Sequence, residues 1–357
     1  MNLLILTQKV DKNDSNLGFF HRWLEEFSKK CEKVTVICLY KGEYSLPNNV
    51  RILSLGKEKG ACRLKYLFNF YKYILKYRKE YDSVFVHMNQ IYMILGGFLW
   101  KMMDKKIALW YAHGGVSNSL KMAEKITDII FTSTPSGFRL KSDKIRIVGQ
   151  GIDVNIFKSD KEKRDKNIFK IITVGRISPV KDYETLISAV EIIKNKINNL
   201  KVDIVGDACA EDDKKYLLGL KEIIKAKNLE DIVNFVGPLS NEAIVFCLQN
   251  SNLFVNMSHT GSLDKAIIEA MSCGCLVLTC NEAFLALNLK DQKSLMFVKS
   301  DFQELADKIL KYYSISEIDR DNLESYLSAS IKENFSLYLL INKIIKNYAI
   351  NNKRSRI

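Results

Sequence analysis

Short apolar runs recur along the chain, each followed by a polar loop and then by residues at helical spacing. In the first half, Leu3–Leu6, Val34–Cys38, Ser83–His87, Ile107–His113 and Ile129–Thr132 predict strands. These runs rarely alternate with polar residues, as expected of strands buried on both faces of a parallel sheet. Between the first two, Phe20, Trp23, Leu24 and Phe27 recur with the period of a helix. The second half is more regular. Lys170–Gly175, Val202–Gly206 and Val233–Gly237 each run into a glycine, and Leu253–Ser258, Leu276–Thr279 and Leu295–Val298 follow. Helical segments such as Tyr183–Ile193 and Ala266–Met271 lie between them. Alternating strands and helices predict α/β architecture, here two doubly wound Rossmann-like domains. Ligands in such sheets sit beyond the carboxyl ends of the strands.

The stretch Lys158–Asn167 contains no apolar residue, and the strand–helix pattern restarts after it. It predicts a linker, with a first domain over 1–165, a second over 166–335, and a last helix with a basic tail over 336–357. A length of 357 residues suits two domains. The net charge of +13 is unevenly placed: residues 1–164 hold 29 Lys and Arg against 16 Asp and Glu, and the remainder holds 25 of each. A basic first half should meet something acidic. A hydrophobic content of 47% excludes a disordered chain. No apolar run approaches the ~18 residues of a membrane span, and Met1–Thr7 reads as a first strand rather than a secretion signal. The eight cysteines form no C-x-x-C pair and read as buried thiols of a cytoplasmic protein; Cys273 and Cys275 are the only close pair. Too few His and Cys lie at ligand spacing for zinc.

Two segments carry candidate chemistry. Gly175-Arg-Ile-Ser-Pro-Val-Lys181 joins a strand to a helix. Gly175 allows a tight turn, and Arg176 and Lys181, five apart on one loop, can address one phosphate cluster. The plain alternative is a surface loop with two solvated cations. The second segment, Ser258 to Gly274, opens from a strand through the small residues Gly261 and Ser262, then Leu263, into a helix whose first backbone N–H groups favour an anion. There Asp264 either caps the helix or offers a carboxylate to a ligand. Glu269 either holds paired hydroxyls or is simply exposed.

Together these segments resemble glycosyltransferase family 4. The resemblance is strongest at Val174–Lys181 and Ile268–Gly274, and is supported by Gly151-Ile-Asp153 with Phe157 and by Asp203–Gly206. It implies the GT-B fold, with the two domains facing a central cleft. It also implies retaining transfer of a sugar from a nucleotide-sugar, with no cofactor and no metal. By this resemblance Arg176 and Lys181, with the loop residues Ser262 and Leu263, take the donor diphosphate. Glu269 holds the ribose, and Gly237, Pro238, Leu239 and Gly206 line the nucleotide site. Gly18 is the glycine of the first strand–helix loop, and His113 stands where the family has a histidine beside the donor sugar. His21 is a candidate partner of the acceptor hydroxyl; His87 and His259 carry less weight. One position departs from the pattern: the first Glu of the Glu-x7-Glu motif falls on Gly261, so Gly261 and Asp264 stand where a carboxylate meets the sugar. That departure keeps two alternatives open, a non-catalytic protein binding a nucleotide-sugar or glycan, and a nucleotide-sugar epimerase.

The segment Arg63–Lys79 is cationic and rich in Tyr and Phe. As a helix it has an apolar stripe through Leu64, Leu67, Phe68, Tyr71 and Leu75, flanked by Lys65, Lys72, Lys76 and Lys79. An anionic membrane surface is one reading, and a core-packed helix with a solvated basic face is another. No recognition motif for nucleic acid accompanies the charge. The expected partners are a nucleotide-sugar donor, a glycan or lipid-linked acceptor and an anionic membrane surface. The expected place is the cytoplasm, at the inner membrane face.

Overall fold

The computed structural model describes residues 1–14, 17–259 and 261–354. The chain divides into two compact units, Met1–Gly151 with Leu337–Ile357, and Ile152–Ser336. The first break therefore falls after Gly151, ahead of the charged stretch that begins at Lys158 and fourteen residues before the boundary expected after 165. That stretch is part of the second unit, where Arg164 is held by Glu324 at 2.7 Å and donates to the carbonyl of Gly274 at 2.9 Å. Charge separates more sharply along these units than along halves of the chain. The first carries 30 Lys and Arg against 13 Asp and Glu, a net of +17, and the second 24 against 28, a net of −4.

The first unit is a seven-stranded parallel sheet. Its strands are β1 (Asn2–Val10), β2 (Lys33–Lys41), β3 (Val50–Ser54), β4 (Ser83–His87), β5 (Lys106–Trp110), β6 (Ile129–Thr132) and β7 (Ile145–Ile147), in the order β3-β2-β1-β4-β5-β6-β7. The order reverses between β1 and β4. On one face, α1 (Phe19–Lys30) and α11 (Leu337–Arg354) bury Phe20, Trp23 and Phe27 with Leu340, Ile341 and Ile344. On the other lie α2 (Arg63–Lys76), α3 (Gln90–Met102) and α4 (Asn118–Ile126), around Phe70, Ile74, Met93 and Trp100. The strand expected to reach His113 ends at Trp110.

The second unit is a five-stranded parallel sheet, with β8 (Phe169–Val174), β9 (Leu200–Val205), β10 (Val233–Gly237), β11 (Leu253–Asn256) and β12 (Leu276–Thr279) in the order β10-β9-β8-β11-β12. Its helices are α5 (Tyr183–Ile193), α6 (Glu211–Ala226), α7 (Asn241–Gln249), α8 (Lys265–Ser272), α9 (Phe302–Tyr313) and α10 (Glu317–Asn334). Leu295–Val298 is not a sixth strand: a 3-10 turn over Gln292–Leu295 precedes it, and it makes one bridge, Met296 to Thr279. Leu295 and Phe297 anchor it to the core instead.

Of the glycines at the ends of the second unit's strands, Gly206 is the one that close approach of the backbone demands. Gly206 has φ +149°, and a Cβ on it would lie 1.9 Å from the carbonyl oxygen of Gly175. No side chain fits where two strand ends converge so tightly.

Candidate functional site

In the second unit the strand order reverses between β8 and β11, so the loops leaving these strands flank a switch point, the place where open α/β sheets bind ligands. The Gly175–Asp182 loop leaves β8, and the loop ending at Asp264 leaves β11. Lys181 donates to Asp264, whose other contacts are the Asn256 amide at 3.1 Å and the backbone N–H of Ala266 at 3.4 Å. Asp264 is thus the N-cap of α8 and the anchor of Lys181 at once. Burial works to raise its pKa; the Lys181 charge and hydrogen bond, with Asn256, reverse that and leave the carboxyl below its ordinary range. Of the two roles open to Asp264, the cap is the one its contacts fill.

Arg176 points elsewhere. Its guanidinium is more than half exposed and lies 3.8 Å from Asp213, in the first turn of α6. Each of the two expected phosphate cations therefore already faces a carboxylate. Gly206 N–H donates to the carbonyl of Gly237 at 3.0 Å, so Gly175, Gly206 and Gly237 mark three adjoining strand ends. Beyond them Pro238 is exposed and Leu239 half-buried. Gly261 has φ +70°, a left-handed conformation that favours glycine. Ser262 is half-buried, its carbonyl accepting from Asn281 at 2.7 Å, and Leu263 is buried. Thr260 lies outside the described residues. Glu269 is buried rather than exposed; burial raises its pKa, and Lys265 at 2.8 Å counters this only in part.

Two polar groups here, Asn256 and Tyr183, were not singled out from sequence. Asn256 holds Asp264 with its amide nitrogen and accepts from Thr279 at 3.2 Å. Tyr183 sends its hydroxyl to the carbonyl of Gly175 at 3.1 Å, fixing the turn from beneath. Asp182, at φ +48°, accepts from Ser300 at 2.8 Å and lies 3.2 Å from His259. A polar residue closing an otherwise apolar run, as Asn256 closes Leu253–Val255, was the available signal.

The other candidates belong to the first unit. His113 is exposed; its Nδ1 accepts from Gly115 N–H at 2.9 Å, which makes Nε2 the donor of the neutral ring. His21 is buried with both ring nitrogens engaged, Nε2 by Ser45 N–H at 3.1 Å and Nδ1 by Glu25 at 3.1 Å. That ring fastens α1 to the segment after β2 and is not placed as an acceptor partner. Gly18 is required by its own loop, since a Cβ there would lie 2.4 Å from the carbonyl of Asp14. His87 is buried and stacked on Phe20 at 4.1 Å. Burial pushes its pKa down to about 3. The folded ring therefore refuses a proton that the unfolded ring takes up near pH 6.5, so stability is full above that pH and falls as pH drops towards 3, by up to about 1.4 kcal/mol per pH unit. Denaturant titrations between pH 5 and 7 should show a shallower pH dependence in His87→Leu than in the wild type; equal slopes would contradict this.

Two parallel α/β units of this kind define the GT-B class of fold. Residues 154–328 match the family model for glycosyl transferases group 1. Over 224 residues the chain is 25% identical to the capsular polysaccharide biosynthesis glycosyltransferase CapM of Staphylococcus aureus, covering 58% of this chain and 54% of that protein. It is 29% identical over 279 residues to an uncharacterized glycosyltransferase of Methanocaldococcus jannaschii, covering 67% of this chain and 65% of that one. The chain thus spans about half to two thirds of the length of these curated relatives. HepE of Anabaena, solved with UDP, superposes with a TM-score of 0.79 at 18% identity, covering 98% of this chain and 100% of that chain; it has also been solved with UDP-glucose. The match to group 1 glycosyl transferases thus covers just under half of the chain and nearly all of the second unit, and the structural likeness supports the expected GT-B fold.

Proposed function

We propose that the protein moves a sugar from a UDP- or GDP-sugar to a glycan or lipid-linked acceptor, with retention and without a bound metal, in the synthesis of a cell-surface polysaccharide or glycolipid. The observation that carries this reading is the Lys181–Asp264 staple across the switch point, which fixes a cation beside the N-terminus of α8 with Arg176 exposed on the same loop. In this reading the bond between the anomeric carbon and the phosphate oxygen breaks, and a bond to the acceptor oxygen forms on the same face. The acceptor proton passes to the leaving phosphate oxygen. Arg176 and Lys181 balance the charge that develops on the departing diphosphate, the role a metal would otherwise take. Glu269 receives the ribose, Gly237, Pro238 and Leu239 the base, and His113 the sugar. The UDP complexes of HepE make uridine the first base to test. The protein works in the cytoplasm against the inner membrane face.

A thermal-shift panel of uridine, guanosine and adenosine diphosphate sugars tests this. One base should stand out, stabilising by about 2.7 kcal/mol at a hundredfold excess over Kd, and Arg176→Ala should lose most of that shift. No response to any donor would sink the proposal. A second reading, a nucleotide-sugar binder without catalysis, is favoured by Gly261 at φ +70° in the place of a carboxylate. It predicts a thermal shift with no release of nucleoside diphosphate.

A further inference from the structure

On α2 the buried side chains are Phe70 and Ile74, while Leu64 is 78% exposed, Phe68 61% and Leu75 42%. The apolar stripe read from sequence therefore points outward; the helix has a second, inner apolar face. Its neighbour α3 packs against α2, with Phe70 stacked on Tyr92 and the Tyr71 hydroxyl donating to the Leu95 carbonyl at 3.1 Å. α3 adds Phe98, 73% exposed, and Met102, 70% exposed. Isolated exposed apolar residues are ordinary; several on two packed helices are not.

Charge says what covers them. Neither α2 nor α3 contains an Asp or Glu, while Lys65, Lys72, Lys76 and Lys101 are all exposed among the apolar groups. This surface belongs to the unit with a net charge of +17. A protein partner's apolar patch would not need that surplus, and a nucleic acid would not need Leu64, Phe68, Phe98 and Met102. An anionic bilayer uses both: headgroup phosphates for the lysines, and the boundary with the acyl chains for the side chains between them. Among the described residues no helix is long and apolar enough to cross a membrane, so the contact is interfacial.

We infer that the outer surface of α2 and α3 is a docking face for an anionic lipid bilayer, entered by Phe68 and Phe98 and held by the lysines around them. This deepens the proposed function, resting on it only for the purpose of docking, which would bring the enzyme to a lipid-linked acceptor. The test is co-sedimentation of the full chain with vesicles of phosphatidylcholine alone or with about a third phosphatidylglycerol. The chain should pellet with the anionic vesicles and not the neutral ones, and less so as salt rises. Lys72→Glu with Lys76→Glu should weaken binding by at least about thirtyfold, from roughly fivefold per lysine removed and more for reversal. Phe68→Ser with Phe98→Ser should weaken it about tenfold. Both pairs are exposed, and both variants should keep the wild-type thermal midpoint and donor response, which separates failure of docking from failure of the transferase reading. Wild-type protein left in the supernatant at low salt, or serine variants that bind as the wild type does, would overturn the docking face. So would binding to single-stranded RNA that the same variants abolish while vesicle binding persists.

Discussion

Arg176→Ala is expected to cut sugar transfer by about 10²–10³-fold while leaving the folding midpoint nearly unchanged. The side chain is 56% exposed, and its one recorded ion pair is a 3.8 Å approach to Asp213, so the fold loses at most about 0.5 kcal/mol. Lys181→Ala should cut transfer as deeply and also destabilise the second unit. It strips the charge partner from Asp264, a carboxylate only 17% exposed that caps α8. Breaking a fully buried pair costs about 3–5 kcal/mol; the residual exposure lowers the expectation to roughly 2–3 kcal/mol. Adding Asp264→Asn to Lys181→Ala removes the orphaned charge and keeps a good capping residue. That double variant should regain most of the stability and none of the transfer. Chemical denaturation and a transfer assay on the four proteins separate the two roles of the lysine. Full transfer by Arg176→Ala would end the assignment of the loop to the leaving group.

What could be read from sequence follows the physics of each element. Buried parallel strands are unbroken apolar runs, so β1, β2, β4 to β6 and β8 to β12 stood out. β3 did not, because all five of its residues are only half-buried and Arg51 interrupts them; it is an edge strand. β7, three residues at the opposite edge, is too short to carry a period. Leu295–Val298 looked like a strand because buried loop anchors and strand residues share a composition. At the site, the turn glycines and the two cations were legible because local backbone geometry demands them. Where Lys181 would point was not: its partner is 83 residues away, and only the sheet order places the two loops side by side. The outward stripe on α2 was visible as a stripe, but a helix that is apolar on two faces does not reveal from sequence which of them packs inward.

The charged stretch Lys158–Asn167 carries the second large expected effect. Glu324→Ala should destabilise the second unit by about 3–5 kcal/mol, a drop in its thermal midpoint of roughly 10 °C. Glu324 is fully buried on α10, 2.7 Å from Arg164 and 3.5 Å from Lys161, residues from the stretch whose composition reads as a solvated linker. Arg164 is itself 11% exposed and donates to the carbonyl of Gly274, the left-handed residue that turns α8 into β12. Removing the carboxylate therefore leaves an arginine buried without its counter-charge against the far end of the helix that Asp264 caps. Replacing both partners, as Arg164→Met with Glu324→Leu, should recover most of the loss, since a buried ion pair is costly mainly when half of it is removed. A solvated linker would give changes within about 0.5 kcal/mol for every one of these variants. Because α8 is gripped at both ends, Glu324→Ala should also weaken donor binding in the thermal-shift panel, although the side chain touches no residue of the phosphate loop.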